Sequence, residues 1–439
     1  MVQVADPVRA RAAALDLVQR LRGAGFVAYF AGGCVRDELL GLHPSDYDVA
    51  TSAKPGEIAA LLPLPRFSTH FVGEAFGVTL VKAGDVHVEV ATFRSDGTYT
   101  DKRRPDAVVF SSPTEDAQRR DFTMNALFLD PLSGEKTPAR GGGSVAGTVI
   151  DFVGGVADLH AGVLRAVGDP HQRLAEDHLR ALRAVRFAAR YGMAIEPATA
   201  AAITAHAGDL AGVSRERIGE ELRRMLTRAG PARAAAMKLL AELKLDVPVF
   251  GQAAEREPGA WPALSAVPVG ANVGCLLAAA MLDRHGPIAD GGGEGAWRSP
   301  WGNEVAAAWR ERLCLSNDEM HAISGTLATL DLLMVAWEGG SVAGQKRIAA
   351  RGHFGVAVAV LGGYWPVRAA GMRARVVELE VIGPGIAPAP ILTGSELIAA
   401  GLKPGPAFKQ LLDLVYDAQL EGRVADLAGA LELARRVRI

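Results

Sequence analysis

Cysteine is scarce in this sequence of 439 residues, and the functions that depend on it are disfavoured. The three cysteines are Cys34, Cys275 and Cys314. An odd number at such wide spacing suits neither a disulfide framework nor a cysteine-ligated metal site. We therefore expect all three to be small buried hydrophobic residues.

The sequence also lacks a long apolar run and a signal peptide. No window is apolar over the roughly 20 residues that a membrane-spanning helix needs. The first residues, MVQVADPVRARAAALDLVQRL, instead predict an amphipathic helix that begins after Asp6. We therefore expect a cytoplasmic location and no membrane partner.

An excess of positive charge is missing as well. The chain has 47 Lys and Arg residues against 49 Asp and Glu residues, which gives a formal net charge of −2. Nucleic-acid-binding proteins are often basic, but the distribution of charge matters more than its sum. Basic residues are concentrated in four stretches, so local phosphate binding stays open; the stretches are 102–104, 119–120, 180–190 and 215–224.

Strand and helix patterns divide the chain into two regions. The first part mixes both kinds of element, with a hairpin over 77–92 around Gly84-Asp85 and short strands over 26–31, 107–110 and 126–130. The segment 132–150 breaks this pattern, and its GGGS stretch predicts a flexible surface loop. Beyond about residue 170 the pattern is almost entirely helical. The sequence therefore predicts an α+β fold: a mixed sheet with helices, followed by an all-helical region.

Two acids form the sharpest local motif. Asp46 and Asp48 stand two residues apart in SDYDV, so on a strand they point to the same face. Their mutual repulsion favours a bound cation, and such a pair is typical of two-metal phosphoryl transfer. Mg²⁺ prefers carboxylate oxygens together with substrate phosphates. Glu89, in VHVEVAT, is the candidate for a third acid from a neighbouring strand.

A paired-glycine turn precedes these acids. Gly32 and Gly33 follow an apolar strand and precede a helical stretch, so backbone N–H groups there can approach phosphate oxygens. Arg36 adds a charged fork that suits a triphosphate. Either motif alone is more often structural, but GGCVRD followed by D-x-D is far more specific.

These residues resemble the active-site signature of the class II tRNA nucleotidyltransferase and bacterial poly(A) polymerase family, within the DNA polymerase β-like superfamily. The resemblance rests on GGCVRDELLGLHPSDYDVAT and is strongest from 26 to 226. It implies that Asp46 and Asp48 hold catalytic Mg²⁺ and that Gly32, Gly33 and Arg36 seat the triphosphate. It also identifies 92–105 as the family's catalytic-head loop, whose full length suggests competence for adding the terminal adenosine.

A second motif, RRDFTMNAL at 119–127, matches the family's RRDFT-x-NA pattern. The resemblance implies that Arg120, Asp121 and Asn125 contact the ribose and phosphates. An Asn side chain both donates and accepts, which suits a sugar hydroxyl. In isolation, the two arginines are equally well explained as a solvated helix end.

A third motif, EDHLRALRAVRF at 176–187, predicts a continuous helix with Asp177 and Arg180 adjacent on its surface. Cytosine and adenine both offer an amino donor beside a ring-nitrogen acceptor, which an Asp and an Arg can bind together. Uracil and guanine reverse that pattern. The segment resembles the family's EDxxRxxRxxRF motif, which implies base reading by Asp177 and Arg180, with Arg183 and Arg186 serving packing or phosphate binding.

The C-terminal segment 393–434 resembles the tail of the same enzymes, so we expect it to hold tRNA, with Lys403 and Lys409 as candidate phosphate contacts. The predicted domains are a catalytic head (1–152), a base-reading neck (153–226), a helical body (227–380) and a tail (381–439).

The resulting expectation is an enzyme that adds C and A nucleotides from CTP and ATP to the 3′ end of tRNA. The alternatives are an enzyme that adds only A or only CC alongside a partner enzyme, and a poly(A) polymerase. A non-catalytic RNA-binding protein and a transferase of small molecules are more distant alternatives.

Overall fold

The structure is a computed structural model that describes residues 6–62, 66–71, 77–97, 108–252, 261–285, 301–402, 405 and 407–437. The chain forms two compact units. The first comprises Met1–Ser214 with Leu243–Leu245, and the second comprises Arg215–Glu242 with Asp246–Ile439. The first unit thus combines the predicted head with most of the predicted neck, and the four predicted domain boundaries stay predictions.

A mixed seven-stranded sheet is the core of the first unit. Its strand order is β11-β8-β1-β2-β5-β4-β3, and β2 pairs with β5 in parallel while the other neighbours are antiparallel. The strands of the chain are β1 (Ala28–Ala31), β2 (Asp48–Thr51), β3 (Phe67–Phe71), β4 (Val78–Ala83), β5 (Val86–Thr92), β6 (Arg94–Asp96), β7 (Val108–Phe110), β8 (Phe128–Asp130), β9 (Lys136–Pro138), β10 (Ser144–Ala146), β11 (Thr148–Ile150), β12 (Val163–Leu164) and β13 (Ala194–Ile195).

Helices cover this sheet and continue to the end of the first unit. They are α1 (Pro7–Gly23), α2 (Gly33–Leu39), α3 (Pro55–Leu61), α4 (Pro113–Gln118), α5 (Gly155–Ala161), α6 (Pro170–Glu176), α7 (Arg180–Tyr191) and α8 (Pro197–Ala205), with 3₁₀ turns at Thr123–Asn125 and Ala207–Gly212. The predicted N-terminal helix is confirmed, and the Asp6 side chain caps it by accepting a hydrogen bond from the Val8 N–H (3.1 Å).

The second unit is helical throughout its described part. Its helices are α9 (Arg215–Leu226), α10 (Gly230–Glu242), α11 (Asp246–Phe250), α12 (Pro262–Ala266), α13 (Val273–His285), α14 (Trp301–Leu313), α15 (Asn317–Val335), α16 (Val342–Ala349), α17 (Phe354–Tyr364), α18 (Pro366–Glu380), α19 (Gly394–Ala399), α20 (Ala407–Leu420) and α21 (Leu427–Arg436). The last three enclose their own apolar cluster, which includes Leu397, Leu411 and Val415. The predicted α+β class is confirmed.

The hairpin predicted over 77–92 is confirmed as β4 and β5. Gly84 adopts a φ of 66° in the connecting turn, a conformation that favours glycine. In β5, Val86, Val88 and Val90 are buried, whereas Glu89 is exposed. This alternation places Glu89 on the face of the sheet opposite the buried valines.

Three expectations from the sequence were wrong. The segment 132–150 does not break the strand pattern, because its short β-prone runs form β9, β10 and β11, and the glycines of GGGS form the turn before β10. Cys314 is exposed, whereas Cys34 and Cys275 are buried. The helix expected over 176–187 is interrupted: α6 ends at Glu176 and α7 begins at Arg180.

Within the described residues, no helix is both long and apolar enough to cross a membrane.

Candidate functional site

The predicted acids lie at the start of β2 and on its neighbour, β5. Asp48 is the first residue of β2, and Glu89 lies on β5 one position before the pair formed by Val49 and Val90. Asp48 is partly exposed, and Glu89 is exposed. Asp46 is also exposed but precedes the strand, so the expectation that a strand carries both Asp46 and Asp48 is only half right.

The charges of Glu89 and Asp46 both act on Asp48. Burial, then the charge of Glu89, then the charge of Asp46 raise the pKa of Asp48 to about 7, against an ordinary value of 3.8. The Arg120 guanidinium opposes this shift. Because the negative charges repel, a divalent cation stabilises the ionised cluster.

The carboxylates present fit a cation whose coordination shell is completed by substrate. No group of three or more His, Cys, Asp or Glu side chains among the described residues has the arrangement of a complete metal site. Mg²⁺ is commonly held by one or two carboxylates together with substrate phosphates and water. Asp46 and Asp48 suit that kind of open site.

The glycine turn lies next to these acids. Gly32 has φ 72° and ψ −120°, and a Cβ atom there would come within 2.8 Å of an Arg120 guanidinium nitrogen. Its N–H donates to the Leu127 carbonyl (2.9 Å). Gly32 therefore allows the turn and leaves space for the Arg120 guanidinium. The N–H groups available to phosphate begin at Gly33, in the first turn of α2.

Arg36 is buried, with 5% of its surface exposed. Its guanidinium donates to Asp37 (2.8 Å) and to the side-chain oxygen of Asn125 (2.5 Å), and it lies 4.6 Å from the ring centre of Tyr191. Direct contact with a triphosphate stays a prediction. The arrangement of Arg36 in the structure is that of a residue that holds Asn125.

Asp121 continues this chain of contacts toward α7. One oxygen of Asp121 accepts from the Asn125 amide (3.0 Å), and the other accepts from Arg183 (2.8 Å). Burial alone would raise the pKa of Asp121, but Arg183 and Asn125 outweigh it and lower that pKa to about 2. Asp121 is thus an ionised interior anchor that orients Asn125.

Asp116 was missed by the sequence analysis. One of its oxygens accepts from Arg119 (2.6 and 2.9 Å), and the other accepts from Arg120 (3.0 and 3.2 Å). Only 2% of its side chain is exposed. The signal was present, because an acid three and four residues before two arginines faces both of them on a helical turn.

Asp177 and Arg180 lie at the junction of α6 and α7. The Asp177 carboxylate accepts from the Leu179 N–H (3.1 Å), which favours a local turn over a continuing helix and explains the interruption. Arg180 donates to Glu176 and to the Arg173 carbonyl (2.7 Å).

Arg186 is buried and stacks 4.1 Å from the ring centre of Phe187, which suits a packing role.

The remaining predicted residues divide between described and undescribed parts of the chain. Lys409 is exposed on α20, while Lys403 lies outside the described residues. Residues 98–105 of the catalytic-head loop also lie outside them. Their roles stay predictions.

Comparisons with known proteins identify the family of this chain. Residues 28–165 match the family model "Poly A polymerase head domain", and residues 192–255 match "Probable RNA and SrmB- binding site of polymerase A". The CCA-adding enzyme of Limosilactobacillus fermentum is 32% identical over 94% of this chain and 93% of that enzyme. That of Geobacillus stearothermophilus is 40% identical, but over 56% of each chain, so the match spans about half of that relative.

A crystal structure of the Bacillus stearothermophilus CCA-adding enzyme in complex with CTP has a similar fold. It superposes with a TM-score of 0.70 at 26% identity and covers 98% of both chains.

Proposed function

Because this chain belongs to the CCA-adding enzyme family, we propose that it completes the 3′ end of tRNA by adding C and A nucleotides from CTP and ATP without a nucleic-acid template. The observation that carries the proposal lies within the first unit. There the acid cluster, the glycine turn and the segments that bear Arg120 and Arg183 come together.

The reaction that fits this arrangement is nucleotidyl transfer. The 3′-hydroxyl oxygen of tRNA forms a bond to the α-phosphorus of CTP or ATP, and the bond to the bridging oxygen breaks. Pyrophosphate leaves with that bonding pair, and the hydroxyl proton passes to solvent or base. The family is metal-dependent. We propose that Asp46 and Asp48 hold Mg²⁺, which activates the attacking oxygen and neutralises charge on the phosphates when bound.

The residues of this chain then have separate tasks. Arg120, fixed by Asp116 beside the glycine turn, supplies positive charge for the triphosphate. Asn125, held on both sides by Arg36 and Asp121, supplies a fixed polar group toward the ribose. Fixed groups of this kind lower the cost of orienting the substrate for in-line attack.

Base selection is assigned to Asp177 and Arg180. Their acceptor and donor match the amino group and ring nitrogen that cytosine and adenine share. Uracil or guanine would leave both protein groups mismatched, at about 1–3 kcal/mol for each buried unpaired group. Addition of both C and A, rather than of A alone or CC alone, is part of the proposal, as is a cytoplasmic location.

The test offers the purified protein three tRNA transcripts, ending before CCA, after C and after CC, with single labelled nucleotides and Mg²⁺. Growth of the first transcript by CCA, followed by a stop, supports the proposal. Extension of only the CC-ending transcript, by one A, identifies an A-adding enzyme. Addition of two C residues and no A identifies a CC-adding enzyme, and long A tails on any RNA identify a poly(A) polymerase.

A further inference from the structure

We propose that Tyr47 is the positioning residue for Asp46 and that it acts through a hydrogen bond to Glu38. The inference rests on the proposed function, because it concerns the acid that is assigned to the metal. It adds two residues, one just before β2 and one on α2, to which no role in the reaction has yet been given.

Asp46 needs such an anchor because the sheet does not hold it. The ladder between β1 and β2 ends at the pair formed by Ala31 and Asp48. Asp46 lies two residues beyond that pair and is exposed, and its carboxylate accepts a hydrogen bond from the neighbouring exposed Ser45 hydroxyl (3.1 Å). A segment without ladder hydrogen bonds is free to move unless a side chain fixes it.

Tyr47 provides the fixed point. It is 4% exposed, and its ring packs edge-on against Phe30 with 5.3 Å between ring centres. Its hydroxyl donates a hydrogen bond to Glu38 Oε1 (2.5 Å). Asp46 and Asp48, on either side of the buried Tyr47, are exposed and partly exposed, so the Tyr47 side chain anchors the segment that carries both acids.

Glu38 is itself held in place. Arg11, from α1, donates to the same Glu38 oxygen (2.9 Å). Cys34 is four residues before Glu38 and therefore on the same face of α2, where its thiol lies 4.0 Å from the Asp48 carbonyl oxygen. The helix that begins at the glycine turn thus contacts the acid-bearing segment through both Cys34 and Glu38, and the contact through Tyr47 is the one nearer to Asp46.

The geometry separates two effects of losing the Tyr47 hydroxyl. Asp46 would lose its fixed position, which weakens metal binding. The groups assigned to the nucleotide, Arg120 and Asn125, are held by other partners and would stay in place. A general loss of structure would instead affect both.

The central experiment is Tyr47→Phe, which keeps the ring and removes only the hydroxyl. We expect the Mg²⁺ concentration for half-maximal CCA addition to rise roughly tenfold and kcat to fall, with the KM for CTP within about twofold of wild type. Mn²⁺ binding, followed by electron paramagnetic resonance without substrate, should weaken by a similar factor. This second readout does not depend on catalysis.

Matched variants test whether the hydrogen bond is responsible. Tyr29→Phe, on the adjacent strand β1, removes a tyrosine hydroxyl from the same sheet and should leave Mn²⁺ affinity unchanged. Glu38→Gln keeps an acceptor and should stay near wild type, whereas Glu38→Leu should reproduce the effect of Tyr47→Phe. The double variant Tyr47→Phe with Glu38→Leu should then be no worse than either single variant.

Wild-type Mn²⁺ affinity and an unchanged Mg²⁺ requirement in Tyr47→Phe would overturn the inference. So would an equal rise in the KM for CTP, since that indicates a general structural defect. If the wild-type protein bound Mn²⁺ but added no nucleotide to tRNA, the proposed function would fail, while the Mn²⁺ measurements would still decide the role of Tyr47.

Discussion

Arg120 makes a two-pronged ion pair with Asp116. Its Nε and one terminal nitrogen donate to the same Asp116 oxygen, at 3.2 and 3.0 Å. The other terminal nitrogen donates to the Asn125 carbonyl (3.1 Å) and fills the space that a side chain on Gly32 would need. The Arg120 side chain therefore joins the α4 segment to the glycine turn, and its positive charge acts to lower the pKa of Asp48.

Asp116→Asn should weaken nucleotide binding more than it slows the turnover of bound substrate. Burial alone would raise the pKa of Asp116, but Arg120 and Arg119 outweigh it and lower that pKa, so the side chain is ionised in the folded protein. Removing its charge leaves two guanidinium groups without their buried partner. We expect the KM for CTP to rise about tenfold, and the free energy of unfolding to fall by about 3 kcal/mol, from steady-state kinetics and urea titration.

A control for Asp116→Asn is Asp130→Asn, which breaks another partly buried ion pair of the first unit, with Arg22 (2.7 Å). It should lower stability without changing the KM. Equal KM changes in the two variants would contradict a specific role for Asp116.

Asp48→Asn should abolish transfer and yet stabilise the metal-free protein at high pH. The folded pKa of about 7 exceeds the ordinary 3.8, so the folded state disfavours the ionised form. Without metal, the contribution of Asp48 to the free energy of unfolding should therefore be most favourable below about pH 4 and fall by roughly 2–4 kcal/mol as the pH rises to about 7. The asparagine side chain of the variant does not ionise, so the variant should lack this loss.

The measurement for Asp48 is urea unfolding from pH 4 to pH 8 in EDTA. Identical pH profiles for wild type and variant would contradict the electrostatic account of the acid cluster.

Asp46→Ala should also abolish transfer while the fold stays intact. Full activity in either variant would contradict the site assignment.

The sequence revealed those parts of the site that depend on local pattern. Asp46 and Asp48, the glycine turn and the β4–β5 hairpin follow from short spacing rules and from the family resemblance, and the structure brings Glu89 to the predicted neighbouring strand. Contacts between distant segments were not predictable in this way. Nothing local indicates that Arg36 is buried against Asn125, 89 residues away.

The interrupted helix at Asp177 is a second feature that the sequence did not predict. Helical periodicity favoured a continuous helix, because Arg, Ala and Leu are strong helix formers. The Asp177 side chain instead binds the N–H two residues ahead, and that competing hydrogen bond ends α6. The resemblance indicated the motif, whose role in base reading stays a prediction, and the break that places Asp177 outside the helix was visible only in the structure.

Gly32→Ala should cause a large loss of activity through Arg120. The backbone conformation of φ 72° and ψ −120° is unfavourable for any residue with a Cβ atom, and that atom would lie 2.8 Å from the guanidinium. Gly25→Ala is the matched control, since Gly25 also has a positive φ (89°) but a Cβ atom there would meet nothing within 4 Å. We expect kcat/KM for CTP to fall at least about tenfold more in Gly32→Ala than in Gly25→Ala. Equal losses would indicate backbone strain alone.

Arg180→Ala should relax the choice of nucleotide more than it lowers RNA affinity. Arg180 is held by Glu176 and the Arg173 carbonyl, which restricts its guanidinium before any nucleotide binds. Arg173→Ala is the control, because Arg173 shares Glu176 (2.9 Å) but has no assigned contact with the base. The ratio of kcat/KM for CTP to that for UTP should fall about 10- to 100-fold in Arg180→Ala and stay near wild type in Arg173→Ala. Unchanged rejection of UTP and GTP in Arg180→Ala would remove Arg180 from base reading. A loss of selection in both variants would instead assign it to the shared partner Glu176, which fixes the junction of α6 and α7.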